Sequence, residues 1–193
     1  MTKNLSASKE VVMEMVAVGG ASTEQRSWPG QYLIVQLQGE AFGLDISSVR
    51  EIIAYIVPTQ IPMMPDFVVG VINLRGQVVP VIDMARRFGR PTTQIHKRSC
   101  IIILDLQDGH SRQRLGVVVD AVNEVLEFTA EQIEAAPQFG AGLRTEFIRG
   151  MGKVAGSFMI LLEMGRVLSL EEMSALSAVA AEADAIGAVD SGS

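Results

Sequence analysis

The feature that most constrains this 193-residue chain is that its two halves resemble each other. Two pairs of segments align: FGLDISSVREII (42–53) with LGVVVDAVNEVL (115–126), and FVVGVINLRGQVVPVIDMARRF (67–88) with FIRGMGKVAGSFMILLEMGRVL (147–168). Glycines and apolar residues recur at matching places, and Gly70 meets Gly150. We expect both of these glycines to occupy backbone conformations that are closed to other residues.

Each copy consists of short apolar runs separated by glycine turns, which is typical of β-strands. One copy alone is too small to bury both faces of its sheet, so the two copies must pack around a shared apolar seam. Short strands joined by tight turns suit small barrels, because closing a barrel removes exposed edges. Pro80 within the last run of the first copy indicates an edge strand or a bulge. The sequence therefore predicts a mainly β fold built from two barrel-like units.

The flanking segments predict a flexible tail over residues 1–28, a main domain over 29–170, and a helix with a frayed end over 171–193. Ser169, just before this last segment, is a candidate cap for its helix, and Glu171 and Glu172 lie in the first turn. Apolar side chains follow on one helical face, namely Met173, Leu176, Val179 and Ala180.

A second, shorter helix is expected near residues 130–136. The stretch TAEQIEAAP begins with Thr129, carries Gln132 three residues later, and ends before Pro137. This spacing is the capping-box pattern of a helix N-terminus.

Comparing the two copies separates residues that the fold needs from residues that are free for another purpose. Arg75 lies at the start of a turn in the first copy, whereas its counterpart in the second copy is Ala155. The fold therefore does not require an arginine at this position. Glu51 differs, because Glu124 is its counterpart, and a structural or a contact role remains open for it. The same two alternatives hold for Val49.

Several function classes are disfavoured by what the sequence contains. A net charge of −6 argues against binding to nucleic acid or to an acidic membrane surface. Cys100 is the only cysteine, which excludes a disulfide within the chain and favours a reducing compartment. The N-terminus lacks the pattern of a signal peptide and no apolar run is long enough to cross a bilayer, so we expect a cytoplasmic protein without membrane insertion.

Catalytic and cofactor motifs are also missing. Two histidines and one cysteine do not make a zinc site, and no Walker A, GxGxxG or GxSxG motif occurs. The acidic residues are scattered along the predicted strands rather than paired for acid–base work. We therefore expect no metal, no cofactor and no enzyme activity, although a small β-barrel enzyme or ligand-binding module remains an alternative.

Residues 30–175 resemble the CheW family of bacterial chemotaxis coupling proteins. The motifs that carry this resemblance stand in the family's order: YLIVQLQGEAFGLDISSVREII, IPMMPDFVVGVINLRG, VVPVID, LGVVVDAVNEVLEFTAEQIEAAP and EFIRGMGKV. The resemblance implies two five-stranded SH3-like barrels around a hydrophobic seam, without catalytic activity. It implies a cytoplasmic adaptor, recruited to membrane-associated receptor arrays, that links the cytoplasmic domains of chemoreceptors to the regulatory domain of a CheA-type histidine kinase.

The resemblance also implies which residues contact a receptor. Val49, Glu51 and Arg75 match positions at which family members bind the receptor. The neighbouring candidates are Ile52, Leu74, Gly116 and Val122. The same scaffold could instead serve another CheA-type pathway, such as twitching motility or developmental signalling, and the sequence does not separate these alternatives.

Overall fold

The structure, a computed structural model, describes residues 28–108, 111–136 and 143–190. The predicted flexible tail lies outside the described residues except for Trp28. The strands are β1 (Gly30–Leu37), β2 (Glu40–Asp45), β3 (Val49–Ala54), β4 (Val68–Leu74), β5 (Gln77–Asp83), β6 (Cys100–Asp108), β7 (Ser111–Val119), β8 (Ala121–Phe128), β9 (Ile133–Glu134), β10 (Ile148–Val154) and β11 (Ser157–Leu162). The α-helices are α1 (Met84–Arg87), α2 (Met164–Val167) and α3 (Leu170–Asp190), with 3-10 turns at Ile46–Ser48, Ala130–Gln132 and Thr145–Phe147.

The strands form two sheets whose order follows the sequence repeat. Sheet A has the order β8-β1-β2-β11-β10-β9, and sheet B has the order β3-β6-β7-β5-β4. Replacing each strand of sheet B by its counterpart in the repeat gives the first five strands of sheet A in the same order. The prediction of two similar β units is therefore confirmed, and each is an SH3-like unit of five to six strands.

Each sheet contains strands from both copies of the repeat. In sheet A, β2 of the first copy pairs in parallel with β11 of the second, and Gly43 lies opposite Leu161. In sheet B, β7 of the second copy pairs in parallel with β5 of the first, and Gly116 lies opposite Val81. The two copies have thus exchanged halves, so neither sheet can form from one copy alone.

Three apolar clusters stabilise this arrangement. The largest joins the two sheets, with Leu33 and Phe42 of sheet A packed against Ile102 and Leu115 of sheet B. A second cluster fills sheet B around Ile101 and Val118, and a third fills sheet A around Tyr32 and Phe128. The predicted apolar seam between the two units is the first and largest of the three.

The short helix expected near residues 130–136 is present as a single 3-10 turn, Ala130–Gln132, and is shorter than expected because strand β9 follows at Ile133–Glu134. The capping signal itself is present, because the Thr129 backbone N–H donates to Gln132 Oε1 at 2.9 Å. However, Ile133 is buried within sheet A and pairs with Gly152 of β10. Pairing with the sheet therefore ends the helical turn, and β9 adds a sixth strand to sheet A.

The helix α3 confirms the capping pattern at its start. Ser169 Oγ accepts from the Glu172 backbone N–H at 3.1 Å, and Glu172 Oε2 accepts from the Ser169 N–H at 2.7 Å. Met173 and Leu176 are buried against the seam, whereas Val179 and Ala180 are half-buried. The helix continues to Asp190, past the point where we expected fraying to begin.

Pro80 does not lie on an edge strand, because β5 is flanked by β4 and β7. The pairing of β5 with β7 begins only at Val81, one residue beyond the proline. The missing N–H of Pro80 therefore costs no hydrogen bond between β5 and β7. The two strands diverge before Val81, and this divergence leaves a crevice on the surface of sheet B.

The two matched glycines are required for different reasons. Gly70 has φ +142°, and a Cβ at this position would lie 2.1 Å from the Thr59 carbonyl oxygen. Gly150 is not in the positive-φ region, but its Cβ would lie 2.7 Å from Ile133 Cγ2 and 3.1 Å from the Glu134 carbonyl oxygen. The expected special backbone conformation is thus found at Gly70 only, while at Gly150 the close approach of β9 leaves no room for a side chain.

Gly70→Ala should be much more destabilising than Gly76→Ala. Both glycines have positive φ, but a Cβ at Gly76 meets no atom within 4 Å. We expect Gly76→Ala to lower the free energy of unfolding by about 1–2 kcal/mol from backbone strain. Gly70→Ala should lower it by roughly 3 kcal/mol or more, since strain and the clash with Thr59 add. Urea unfolding followed by circular dichroism measures both, and equal losses would contradict the role assigned to Thr59.

Candidate partner-binding site

The residue that the repeat comparison singled out forms an ion pair on the surface of sheet B. The Arg75 guanidinium donates through Nη2 to Glu51 Oε2. Arg75 lies in the turn between β4 and β5, and Glu51 lies on the edge strand β3, 24 residues earlier. Since β3 and β4 are the two edges of sheet B, the pair connects the ends of a sheet that curls back on itself.

The backbone of this turn does not depend on its arginine. Arg75 has φ 51° and Gly76 has φ 83°, and the matching residues Ala155 and Gly156 have φ 48° and 81°. The two hairpins therefore have the same turn, and Asn73 Oδ1 further holds the first one by accepting from the Gly76 N–H at 2.9 Å. The fold needs the turn, whereas the guanidinium is an addition in the first copy only.

The electrostatics of the pair are mutual. The hydrogen bond from Arg75 lowers the pKa of the Glu51 carboxyl, and the positive charges of Arg75, Arg50 and Arg114 lower it further. The same hydrogen bond raises the pKa of the Arg75 guanidinium. The Arg75 side chain is 67% exposed and that of Glu51 is 26% exposed. Glu51 thus holds an arginine whose remaining donors face solvent.

Three other predicted contact residues lie near this pair but have different surroundings. Leu74 precedes Arg75 and is half-buried against the apolar cluster of sheet B. Ile52 is 43% exposed and, as the next residue along β3, points to the face opposite Glu51. Val49 is half-buried and packs against the seam between the sheets. Among these three side chains, Ile52 has the largest exposed apolar surface.

The last two predicted contact residues are embedded in the fold. Gly116 is buried in the middle of β7, and a Cβ there would lie 3.0 Å from methyl groups of both Ile101 and Val81. Val122 belongs to sheet A and packs half-buried against the seam, as its counterpart Val49 does from sheet B. Val122 therefore supports the packing of the two sheets and Gly116 the packing within sheet B, and their role as contact residues stays a prediction.

A group of charged residues that the sequence analysis missed lies next to the ion pair. Asp105 of β6 accepts from Arg50 Nη1 at 3.1 Å and pairs with Arg114 Nε at 3.3 Å. Arg114 also donates to Gln77 Oε1. Asp105 and Arg114 face each other across the β6–β7 hairpin, whereas Arg50 lies 55 residues before Asp105, so no local pattern joins all three. Only the adjacency of β3, β6 and β7 brings them together.

A second cluster of ion pairs, in sheet A, connects residues within the fold. Arg149 pairs with Asp45 at 2.5 Å and with Glu163 at 2.9 Å, while its guanidinium lies 5.1 Å from the centre of the Trp28 ring. Its side chain is 13% exposed. Burial lowers the pKa of Arg149, but the hydrogen bonds to Glu163 and Asp45 outweigh burial and raise it. Because its donors are used within the protein, Arg149 has fewer hydrogen-bond donors available to a partner than Arg75 has.

The described part of the chain contains no group of three or more His, Cys, Asp or Glu residues that could hold a metal ion. Within the same part, no helix is long and apolar enough to span a membrane. Burial raises the pKa of the Cys100 thiol, whose Sγ lies 3.2 Å from the Arg98 carbonyl oxygen. A raised pKa keeps this cysteine in its thiol form, which is the poor nucleophile.

Replacing Arg75 should change the titration of its partner. In Arg75→Ala we expect the pKa of Glu51 to rise towards its ordinary value, because the hydrogen bond that lowers it is lost. Carbon-13 NMR titration of the Glu51 carboxyl measures this shift. Arg144→Ala is the matched control, since Arg144 is 70% exposed and pairs with Glu146 instead. An unchanged Glu51 pKa in Arg75→Ala would show that the pair does not persist in solution.

Comparisons with known proteins agree with this fold. The model of the CheW-like domain family matches residues 31–172. The chemotaxis protein CheW of Klebsiella aerogenes is 39% identical over 150 residues, which cover 78% of this chain and 88% of the relative. The probable chemotaxis protein CheW of Rhizobium etli is 32% identical over 145 residues, covering 75% of this chain and 91% of the relative.

A solved structure shows the same architecture. The crystal structure of the scaffolding protein TtCheW from Thermoanaerobacter tengcongensis matches with a TM-score of 0.67 at 31% identity, covering 79% of this chain and 96% of that chain. The family match spans most of the residues that form the two sheets, and the relatives are matched over most of their own length. This chain therefore belongs to the CheW-like domain family.

Proposed function

We propose that this protein is a non-catalytic adaptor that couples the cytoplasmic tips of chemoreceptors to the regulatory domain of a CheA-type histidine kinase. Membership of the CheW-like family supports this role, as do relatives named chemotaxis protein CheW. The matched solved structure is that of a scaffolding protein. These names favour chemotaxis over other CheA-type pathways, and a scaffold over an enzyme or a ligand-binding module.

The observation that carries the proposal is the preorganised guanidinium of Arg75. Glu51 takes one of its donors and fixes its direction, while 67% of the side chain stays exposed. A receptor tip is a helical hairpin, which offers an apolar stripe bordered by carboxylates and amides. An arginine that is already oriented loses less conformational freedom on binding a carboxylate than a free side chain would.

The neighbouring residues have complementary roles in this proposal. Ile52 supplies exposed apolar surface on the other face of β3, and Leu74 fixes the base of the turn against sheet B. Val49 and Val122 act through the packing of the two sheets, and Gly116 acts through the packing within sheet B, on which the position of the turn depends. The receptor surface is therefore small, and its main polar anchor is Arg75.

Such an adaptor works in the cytoplasm and reaches the membrane through its partners. In a receptor array, several contacts of moderate affinity on one scaffold add through multivalency. Binding at several faces then holds receptor and kinase in a fixed relative position without any chemical step.

Arg75→Ala should weaken receptor binding selectively. We expect the affinity for a purified chemoreceptor cytoplasmic fragment to fall by about 1 kcal/mol or more, roughly fivefold, because a central charged anchor is lost. Binding to the kinase regulatory domain should stay unchanged. Isothermal titration calorimetry measures both affinities, and circular dichroism confirms that the variant is folded.

Arg144→Ala serves as the control for this experiment, because it removes an equally exposed, ion-paired arginine from sheet A's side of the molecule. If Arg75→Ala and Arg144→Ala have the same effect on receptor binding, general charge and not the site determines affinity. If the unmodified protein binds neither the receptor fragment nor the kinase domain, the adaptor proposal itself is wrong.

The role of Glu51 can be separated from that of Arg75 by a double-mutant cycle. If Glu51 only orients the arginine, Glu51→Gln should weaken receptor binding less than Arg75→Ala does. The double variant should then be no weaker than Arg75→Ala alone, because the two residues act as one unit. Fully additive losses in free energy would instead show that Glu51 contacts the receptor independently of Arg75.

A further inference from the structure

A second charged site lies beside the Glu51–Arg75 pair, in a crevice between β5, β7 and α3. The crevice has a volume of about 440 Å³ and opens where β5 and β7 diverge before Val81. The barrel contributes four charged residues to its lining, namely Arg50, Asp105, Arg112 and Arg114. Three guanidiniums thus share the crevice with one carboxylate of the barrel, in a chain whose net charge is −6.

The arginines of the crevice are not neutralised one by one. Asp105 is shared between Arg50 and Arg114, at 3.1 and 3.3 Å. Arg112 faces the side-chain amide of Gln107, whose oxygen, when turned towards it, accepts from Nε and Nη2 at 3.1 and 3.2 Å. Guanidiniums in this arrangement retain donors and positive charge for a further carboxylate.

A carboxylate already occupies the crevice. The backbone N–H of Val78 donates to Asp184 Oδ1 of α3 at 3.0 Å. N–H groups two residues apart point to the same side of a strand. The next N–H on the same side as that of Val78 would belong to residue 80, which is a proline and has no N–H. Asp184 therefore satisfies a main-chain donor that β7 does not reach, and it brings a negative charge into the crevice that the three arginines line.

The part of α3 that carries Asp184 is weakly attached. Met173 and Leu176 anchor the first half of the helix in the seam, but no residue from Ser177 to Ile186 is buried. Small side chains, among them Ala180, face the crevice without filling it. The last turn also has no basic residue to offset the helix dipole. The second half of α3 is thus suited to local opening.

We propose that this crevice is a binding site for an acidic helical segment of a protein partner, and that Asp184 occupies it as an intramolecular competitor. The present occupant presents its carboxylate from a helix, and the lining residues Ser177 to Asp184 span two helical turns. A partner helix with carboxylates at the same spacing fits the same arginines and the Val78 donor. This proposal goes beyond the adaptor function, because it does not depend on the identity of the partner or on Arg75.

The test uses the full chain and a synthetic probe, a fluorescein-labelled alanine-based helical peptide with three glutamates on one face. The same peptide with glutamines is the neutral control. Fluorescence anisotropy measures binding to the unmodified protein and to Asp184→Ala, with Glu182→Ala as the matched control on the same helix. Removing the competitor should raise the affinity for the glutamate peptide by about threefold or more in Asp184→Ala only.

Substitutions on the barrel side complete the test. Combined with Asp184→Ala, Arg114→Gln should lower the affinity for the peptide at least about fivefold. Arg112→Gln should do the same and leaves the Arg50–Asp105–Arg114 ion pairs in place, so it serves if Arg114→Gln does not fold. Arg144→Gln should have no effect. The proposal is overturned if Asp184→Ala binds no better than Glu182→Ala, if the glutamine peptide binds equally well, or if Arg144→Gln weakens binding as much as Arg112→Gln.

Discussion

The two parallel strand pairs, β2 with β11 and β5 with β7, are the constraint on which the rest of the structure depends. Each pair joins a strand from one copy of the repeat to a strand from the other. At each junction a glycine allows close approach, with Gly43 opposite Leu161 and Gly116 opposite Val81. A side chain at either glycine would meet the neighbouring strand's side chains at 3.0 Å or less. The long-range exchange makes the protein one cooperative unit, in which a surface turn such as that of Arg75 is positioned by both halves.

The sequence could predict what is periodic or repeated. Matching glycines and apolar positions were enough to expect two similar β units around a seam, and the contrast between Arg75 and Ala155 was enough to separate a free side chain from a required turn. The exchange of strands between copies could not be predicted, because alignment of two segments does not say which of them pair in space. The length of the short helix after Thr129 was overestimated, because the capping pair at Thr129 and Gln132 is real but pairing with β10 turns the chain into strand β9 after one 3-10 turn. The charged crevice was missed because Arg50 of β3 and Asp184 of α3 are distant in sequence from Arg112 and Arg114 of β7.

The pseudo-symmetry of the two sheets is broken where α3 packs. Val78 of sheet B lies beneath this helix and donates to Asp184, whereas its counterpart in sheet A, Phe158, is 53% exposed. The first half of the helix packs in the seam, and its second half lies over sheet B. At this matched position the two units with the same strand order therefore differ, because sheet B is charged and partly covered by the helix and sheet A exposes an aromatic ring.

This asymmetry places the charged features of sheet B in one continuous region. Arg50 and Arg114 contribute to the low pKa of Glu51 and also line the crevice under α3. A carboxylate that enters the crevice would reduce the positive charge that both arginines present to Glu51, and so would weaken their effect on its ionisation. The ion pair at Arg75 and the crevice are thus electrostatic neighbours that share two residues. A partner that displaces Asp184 and brings more than one carboxylate would change the field around Arg75 without touching it, and would thereby couple the two proposed binding surfaces.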